Sequence, residues 1–350
     1  MHHSHRRANC MAIPAPKSML AGLLQALSGP EPLIILPHDN PDPDSLASAA
    51  ALKYLAQELL EKDAVIAQGG IVGRAENRAM LTYLNIDLKP VRDLRLRPDS
   101  LVALVDTQPG RINNSLPREI IPAVVIDHHP AYADYGQVPF LDLRDEYGAT
   151  STILTEYVRE ARVELESKLA TALFYGISAE TQDLGREATP ADIAAAQFLY
   201  PYTNKRRLAK IENARVPRVY FRAFHEAIER AVIYNRVVVS ILPQVQYPDM
   251  VAEVADFLLR LDEVEWACAI GGFGDNLHVS LRTTERDVSA GDVLQRVLGN
   301  ESAGGHDMTA GGRVALDSRG PDAAVQAAAA VRDRLLALLD AATAPPHALV

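Results

Sequence analysis

Short apolar runs punctuate the first half of the chain, and several end in clusters of acids and histidines. Residues 33–36, 64–67, 101–105 and 123–126 are four such runs. Their length and composition are those of buried strands. Between them, 45–55 is rich in alanine and leucine and predicts a helix, as does 77–84. Strands alternating with helices predict a parallel sheet covered on both faces. After the short segment 140–143, the pattern turns helical over 149–166 and 168–177. Gly176, inside the second of these helices, costs ~1 kcal/mol against alanine and so predicts close packing.

A charged, helical stretch follows, and then a second alternating unit. Residues 237–241 predict a strand and 250–261 a helix, while 266–271 and 278–282 flank the turn residues Gly274, Asp275 and Asn276, a hairpin signal. An alanine-rich helix closes the unit. The fold class is therefore α/β. The division is an N-terminal extension (1–30), a first α/β domain (31–187), a helical connector (188–235) and a smaller α/β domain (236–342). His278 alternates with Val279 and reads as solvent-facing, and the tail around Pro345, Pro346 and His347 reads as loose.

Composition narrows the setting. The chain has 350 residues of which 48% are apolar, ample for two cores. Cys10 and Cys268 are its two cysteines, which is no disulfide framework and suits a reducing compartment. No apolar run reaches the ~18–20 residues of a membrane span. The stretch 19–27 is broken by Gly22 and Gln25, which argues against a signal peptide. His2, His3 and His5 read as a frayed terminus. The expected location is the cytoplasm. A formal net charge of −10 does not suit a long duplex, where affinity comes from many basic contacts to phosphate. Short oligonucleotides and nucleotides are compatible with it. From 204 to 222, Lys205, Arg206, Arg207, Lys210, Arg215, Arg218 and Arg222 face the single acid Glu212, with Tyr202, Tyr220 and Phe221 interleaved. That pattern suits either a single-strand platform or a solvated helical connector, and the connector is the simpler reading.

Candidate chemistry lies at the strand ends. After 33–36 come His38, Asp42 and Asp44, with Asp44 or Ser45 as the expected helix cap. Asp42 and Asp44, two apart in an extended loop, can face different cations. The helix start adds partial positive charge near which a phosphate can rest. Asp106 follows 101–105, and Asp127, His128 and His129 follow 123–126. Histidine with carboxylate is a donor set for divalent metal. In an open α/β sheet, ligands gather at the carboxyl ends of the strands. Each group alone is also an ordinary polar turn; the repetition is what favours a site.

Together these motifs resemble the DHH phosphoesterase superfamily, in its DHH–DHHA1 branch. His38, Asp42 and Asp44 match H-x-x-x-D-x-D, Asp106 the strand-terminal acid, and Asp127-His128-His129 the name-giving motif. Gly176-Ile177-Ser178-Ala179-Glu180-Thr181 matches G-I-x-x-D-T with Glu for Asp, which leaves Asp183 as the other candidate ligand. The resemblance implies two metal ions, Mn²⁺ with Mg²⁺ as the alternative. His38, Asp42 and Asp106 would hold one ion. Asp44, Asp106, His128 and Glu180 would hold the other, with Asp106 bridging. It also implies catalytic roles for Asp127, orienting a ligand imidazole, and His129, facing the phosphate.

In the second domain, 302–312 resembles the family's G-G-H-x-x-A-A-G-G. This implies that Gly304, Gly305, His306 and Arg282 bind substrate across an interdomain cleft from the metals. The implied activity is hydrolysis of short oligoribonucleotides, 3′-phosphoadenosine 5′-phosphate or a linear dinucleotide, with room for a homodimer. A polyphosphate or pyrophosphate hydrolase is the second reading, disfavoured because the family's pyrophosphatases lack that loop. A silent nucleotide sensor is the third. No sensor, membrane or CBS-like segment precedes the motifs, so membrane-bound cyclic-dinucleotide enzymes are expected to fit poorly.

Overall fold

The computed structural model describes residues 18–111, 113–185, 188–305, 308–316 and 321–350. In chain order the elements are α1 (Met19–Leu27), β1 (Leu33–Pro37), α2 (Pro43–Leu60), β2 (Ala64–Gln68), α3 (Ala75–Leu84), β3 (Leu88–Pro90), β4 (Val102–Val105), β5 (Val124–Asp127), β6 (Phe140–Leu143), α4 (Thr150–Ala161) and α5 (Ser167–Glu180). The helical connector holds α6 (Pro190–Leu199), α7 (Lys205–Glu212) and α8 (Arg218–Glu229). The second domain runs β7 (Val232–Tyr234), β8 (Val237–Leu242), α9 (Met250–Leu258), β9 (Trp266–Phe273), β10 (Asn276–Thr283), α10 (Ala290–Leu298), β11 (Ala303–Gly305), β12 (Thr309–Ala315), α11 (Pro321–Leu338) and β13 (His347–Ala348). Among the described residues no helix is long and apolar enough to cross a membrane.

The first sheet is parallel throughout, in the order β3-β2-β1-β4-β5-β6. The order reverses between β1 and β4, and such a switch point opens a crevice at the strands' carboxyl ends. The expected strands form; β3 and β6 extend the sheet at its two edges. Both faces are covered. Leu33 and Ile35 of β1 pack with helices α1, α2, α4 and α5 on one face, and Leu36, Leu104, Val125 and their partners fill the other. The described part of the N-terminal extension is not a tail. Leu20, Leu23 and Leu27 of α1 are buried in the first core.

Helix α2 carries Leu46, Ala47, Ala49, Leu52 and Leu55 buried along its length, and it packs along α5. Gly176 permits that approach. A Cβ there would meet Ser151 Oγ and lie 3.1 Å from Ala47 Cβ and 3.2 Å from Asp44 Cα. The expected close packing is thus between α5 and the first turn of α2.

The second sheet is mixed, in the order β11-β12-β10-β9-β8-β7-β13. The hairpin around Gly274 forms, with that glycine at φ 59°. The glycine-rich stretch is not an open loop: β11 and β12 pair antiparallel, with Gly304 opposite Gly311. A Cβ at Gly305 would lie 2.5 Å from Ala310 Cα, so backbone fills the space a side chain would need. His306 lies outside the described residues. The tail is not loose either, since β13 pairs with β7 and covers a sheet edge. In the connector, Lys205 sits 3.3 Å over the Tyr200 ring and Lys210 5.3 Å over Tyr83. These two lysines of the basic stretch thus lie against rings of the chain itself, while Tyr202 and Phe221 are exposed.

Gly176→Ala should cost about 1–3 kcal/mol through overpacking, measured as a lower urea midpoint. An unchanged midpoint would show that the α2–α5 contact has slack.

Candidate metal centre

Residues on either side of the switch point make the centre. His38 leaves β1 and Asp106 leaves β4, so their side chains meet across the crevice. His38 Nε2 lies 3.6 Å from Asp106 Oδ2 and 3.4 Å from Asp42 Oδ2. From β5, His128 Nε2 lies 3.6 Å and His129 Nδ1 3.9 Å from Asp106 Oδ1. Among the described residues two ligand-competent groups result, His38-Asp42-Asp106 and Asp106-His128-His129. Asp106 belongs to both, one oxygen facing each.

Local structure fixes these positions. Asp42, not Asp44 or Ser45, caps α2. Its Oδ1 accepts from the Ser45 amide at 2.9 Å, and Ser45 Oγ accepts from the Asp42 amide at 3.0 Å. Pro43 at the first helical position suits that start. The other oxygen, Oδ2, is left toward His38. Asp106 sits in the left-handed region at φ 59°, which aspartate tolerates better than most residues. Its amide donates to the Ile126 carbonyl at 2.9 Å, holding the β4 end against β5. Asp44 is buried in the first turn of α2, and its two oxygens accept from the Thr150 and Ser151 amides, each at 2.7 Å. These are orphan donors of α4, so a helix N-terminus supports the carboxylate.

The imidazoles are oriented in two ways. His38 donates Nδ1–H to the Asp39 carbonyl at 2.9 Å, and His128 donates its Nδ1–H to the Tyr147 carbonyl at 3.1 Å. Both therefore turn Nε2 to the cluster, as metal-ligating histidines do. His129 instead holds Asp127 Oδ1 at 2.7 Å through Nδ1. Asp127 thus orients His129, while a backbone carbonyl orients His128.

Glu180 is the last residue of α5 rather than a residue beyond it. Its carboxyl is pushed up to about 8 by burial and then by Asp42. Asp183 is exposed and accepts from Ser178 Oγ. The fold thus turns Glu180, and not Asp183, into the electrostatic reach of the cluster. Asp44 and Glu180 stand around the two tight groups rather than inside them.

Burial, then Asp44 and Asp42, raise the Asp106 carboxyl well above its ordinary range. Burial also raises Asp44, with Asp42 adding to it and His128 opposing it. Several buried carboxyls driven up together mark negative charge that a cation would neutralise. Carboxylate oxygens with imidazole nitrogens are a donor set for a divalent cation. The residues therefore fit a divalent-metal site.

Two side chains that sequence reasoning passed over complete the frame. Thr150 donates its hydroxyl to Asp106 Oδ1 at 2.9 Å while its amide serves Asp44, so it spaces two of the acids. Gln108 is fully buried and donates to Asp127 Oδ2 at 2.7 Å and to the His129 and Pro130 carbonyls, both at 3.1 Å. Nothing in the sequence separates that threonine from any helix-start residue. Gln108, two after a strand-terminal acid, carried only a weak signal.

Across from the centre, a cavity of about 290 Å³ runs between the domains, bordered by Asn40 on one side and by Asp249, His278, Arg282, Gly305 and Gly311 on the other. His278 is thus not solvent-facing but lines the cleft, where burial and then Arg313 push its imidazole down to about 4. Arg282 is buried; its Nη1 donates to Ser280 Oγ at 2.7 Å and its Nε to Asp256 Oδ1 at 2.5 Å.

Residues 32–177 match the family model described as the DHH family, N-terminal domain, and 234–337 match the DHHA1 domain. An uncharacterised protein of Methanocaldococcus jannaschii is 36% identical over 287 residues, 81% of this chain and 58% of that protein. A cyclic-di-AMP phosphodiesterase of Bacillus subtilis is 25% identical over 296 residues, 79% of this chain and 44% of that protein. The crystal structure of an exopolyphosphatase-related protein from Bacteroides fragilis shares the fold, with a TM-score of 0.68 at 12% identity, covering 94% of this chain and 100% of that one. The chain spans about half the length of the curated relatives it matches.

Glu180→Gln and Asp183→Asn each remove a charge and keep the shape. Metal titration should find the Glu180 variant at least tenfold weaker for its second Mn²⁺ and the Asp183 variant close to wild type. The reverse ranking, at unchanged melting temperature, would move the role to Asp183.

Proposed function

The chain belongs to the DHH phosphoesterase family, in the branch that carries a DHHA1 domain, and from that premise we propose that it is a two-metal phosphohydrolase of short oligoribonucleotides or nucleotide phosphates such as 3′-phosphoadenosine 5′-phosphate. The observation that carries this reading is the juxtaposition of the histidine–carboxylate centre with a cleft lined by glycine backbone and Arg282.

In this reading His38, Asp42 and Asp106 hold one cation, and Asp106, His128, Asp44 and Glu180 the other, Mn²⁺ in preference to Mg²⁺. Such ions supply an acidified water and neutralise charge on a phosphoryl group. The chain's own residues do the rest. Asp127 holds His129 Nδ1 at 2.7 Å and so orients the ring that would face a phosphate oxygen. Arg282 and the β11–β12 backbone, with His306, grip the part of the substrate that does not react. Binding energy gained there holds the phosphorus in line for attack.

That remote grip favours a nucleoside-bearing substrate over a bare polyphosphate. The match to the B. subtilis phosphodiesterase, at 79% of this chain, reaches beyond the first domain into the second, which supports the same choice. Cyclic dinucleotides therefore belong in the test.

The experiment is a panel with Mn²⁺: a diribonucleotide, phosphoadenosine phosphate, cyclic di-AMP and polyphosphate. Fastest turnover of the diribonucleotide or phosphoadenosine phosphate is expected; a preference for polyphosphate would overturn the reading. His306→Ala and Arg282→Ala should each lower kcat/KM on the preferred nucleotide by one to three orders of magnitude, about 1.4–4 kcal/mol. Bis-p-nitrophenyl phosphate, which lacks the remote groups, should lose far less. Equal losses on both substrates would show that these residues serve chemistry or folding instead.

A further inference from the structure

Arg282 does not reach the cleft unaided. Asp256 on α9 takes its Nε on Oδ1 at 2.5 Å, and the other oxygen of the same carboxylate lies 3.8 Å from Arg74 Nη2. Arg282 belongs to the second domain, whereas Arg74 immediately precedes α3 in the first. One carboxylate therefore joins a cleft arginine to the opposite domain.

The surroundings make this a built seam. Beside Arg74, a Cβ on Gly73 would lie 2.5 Å from the Tyr247 ring, so the loop before α3 abuts the second domain directly. Tyr247 in turn donates to Glu253 Oε1 at 2.8 Å. Burial would lower the Arg74 guanidinium, but Asp256, then Glu253 and Asp249, all on or capping α9, hold it charged. The loop that ends in Arg74 is also tied to the metal centre. The Gly69 carbonyl accepts from the Asn40 amide at 3.2 Å, and the Ile71 amide donates to Asn40 Oδ1 at 2.9 Å. Asn40 lies between His38 and Asp42.

We propose that Asp256 is a positioning residue that sets Arg282 for the non-reacting part of the substrate through one oxygen and, through the other, links that setting to Arg74 and so to the loop bearing His38 and Asp42. This rests on the phosphohydrolase reading above. A simple intradomain ion pair would need neither Arg74 nor its loop. Here the cleft arginine is correctly aimed when the two domains are seated on each other, so grip on the substrate and assembly of the metal side are coupled.

The test uses the full chain with Mn²⁺ and the variants Asp256→Asn, Arg74→Ala, Arg74→Lys and Asp256→Asn with Arg74→Ala. Kinetics are taken on whichever member of the panel the wild-type protein turns over fastest, so a wrong guess of substrate is seen in the wild type and a wrong role for Asp256 in the variants. Asp256→Asn should raise KM at least tenfold with a smaller change in kcat, and should harm bis-p-nitrophenyl phosphate less. Arg74→Ala should raise KM severalfold, Arg74→Lys should restore part of it, and the double variant should be no worse than Asp256→Asn alone. Hydrogen exchange provides the readout free of substrate: Arg74→Ala should speed exchange of the α9 amides and of β10 around Arg282. Multiplying rather than shared effects, equal losses in KM and kcat, or exchange unchanged in Arg74→Ala would each overturn the proposal.

Discussion

The Asp106 carboxylate is the constraint from which the site follows. It is buried among other acids, and yet histidines following two different strands point at it, His38 at Oδ2 and His128 with His129 at Oδ1. An anion in that position is costly unless cations or hydrogen bonds answer it. Thr150 supplies one hydrogen bond, and the left-handed backbone at Asp106 places the group at the mouth of the switch point. The same economy governs Asp44, which is tolerated in the core because the start of α4 gives it two amides.

The scaffold serves that centre by bringing segments close enough for short side chains to meet. Gly176 lets α5 approach the first turn of α2, which carries Asp44, and α5 then delivers Glu180 at its last turn. Pro43 and the Asp42–Ser45 cap fix where α2 begins and therefore where Asp42 can aim its second oxygen. On the far side, glycines in β11 and β12 let two backbones pair tightly beside Arg282. The domains then meet at Gly73 and Arg74, so the cleft is shaped by packing and by charge together.

Much of this was legible in the sequence. Apolar runs closed by His38, Asp106 and Asp127-His128-His129 announced strands with a common ligand end, and the alternation with helices announced a parallel sheet. What stayed hidden had physical reasons. The cap was expected at Asp44 or Ser45, though Pro43 at the first helical position places it at Asp42. The glycine-rich stretch read as a loop because glycine is poor in strands, yet here its lack of Cβ is what allows β11 to pair with β12. His278 alternates with apolar neighbours, but the face it joins carries α9 and borders the interdomain cavity, which period-2 reasoning cannot see. Thr150, Gln108 and Asp256 act through hydrogen bonds to residues 19 to 44 positions away, and no local pattern encodes such partners.

The dependence of the centre on Asp106 can be measured directly. Asp106→Asn keeps the shape, the left-handed backbone preference and an acceptor for Thr150, while removing the charge. Equilibrium dialysis with Mn²⁺ should find about two ions per chain in the wild-type protein and no more than one, weakly held, in the folded variant. Two tightly bound ions in Asp106→Asn would contradict the shared-ligand account.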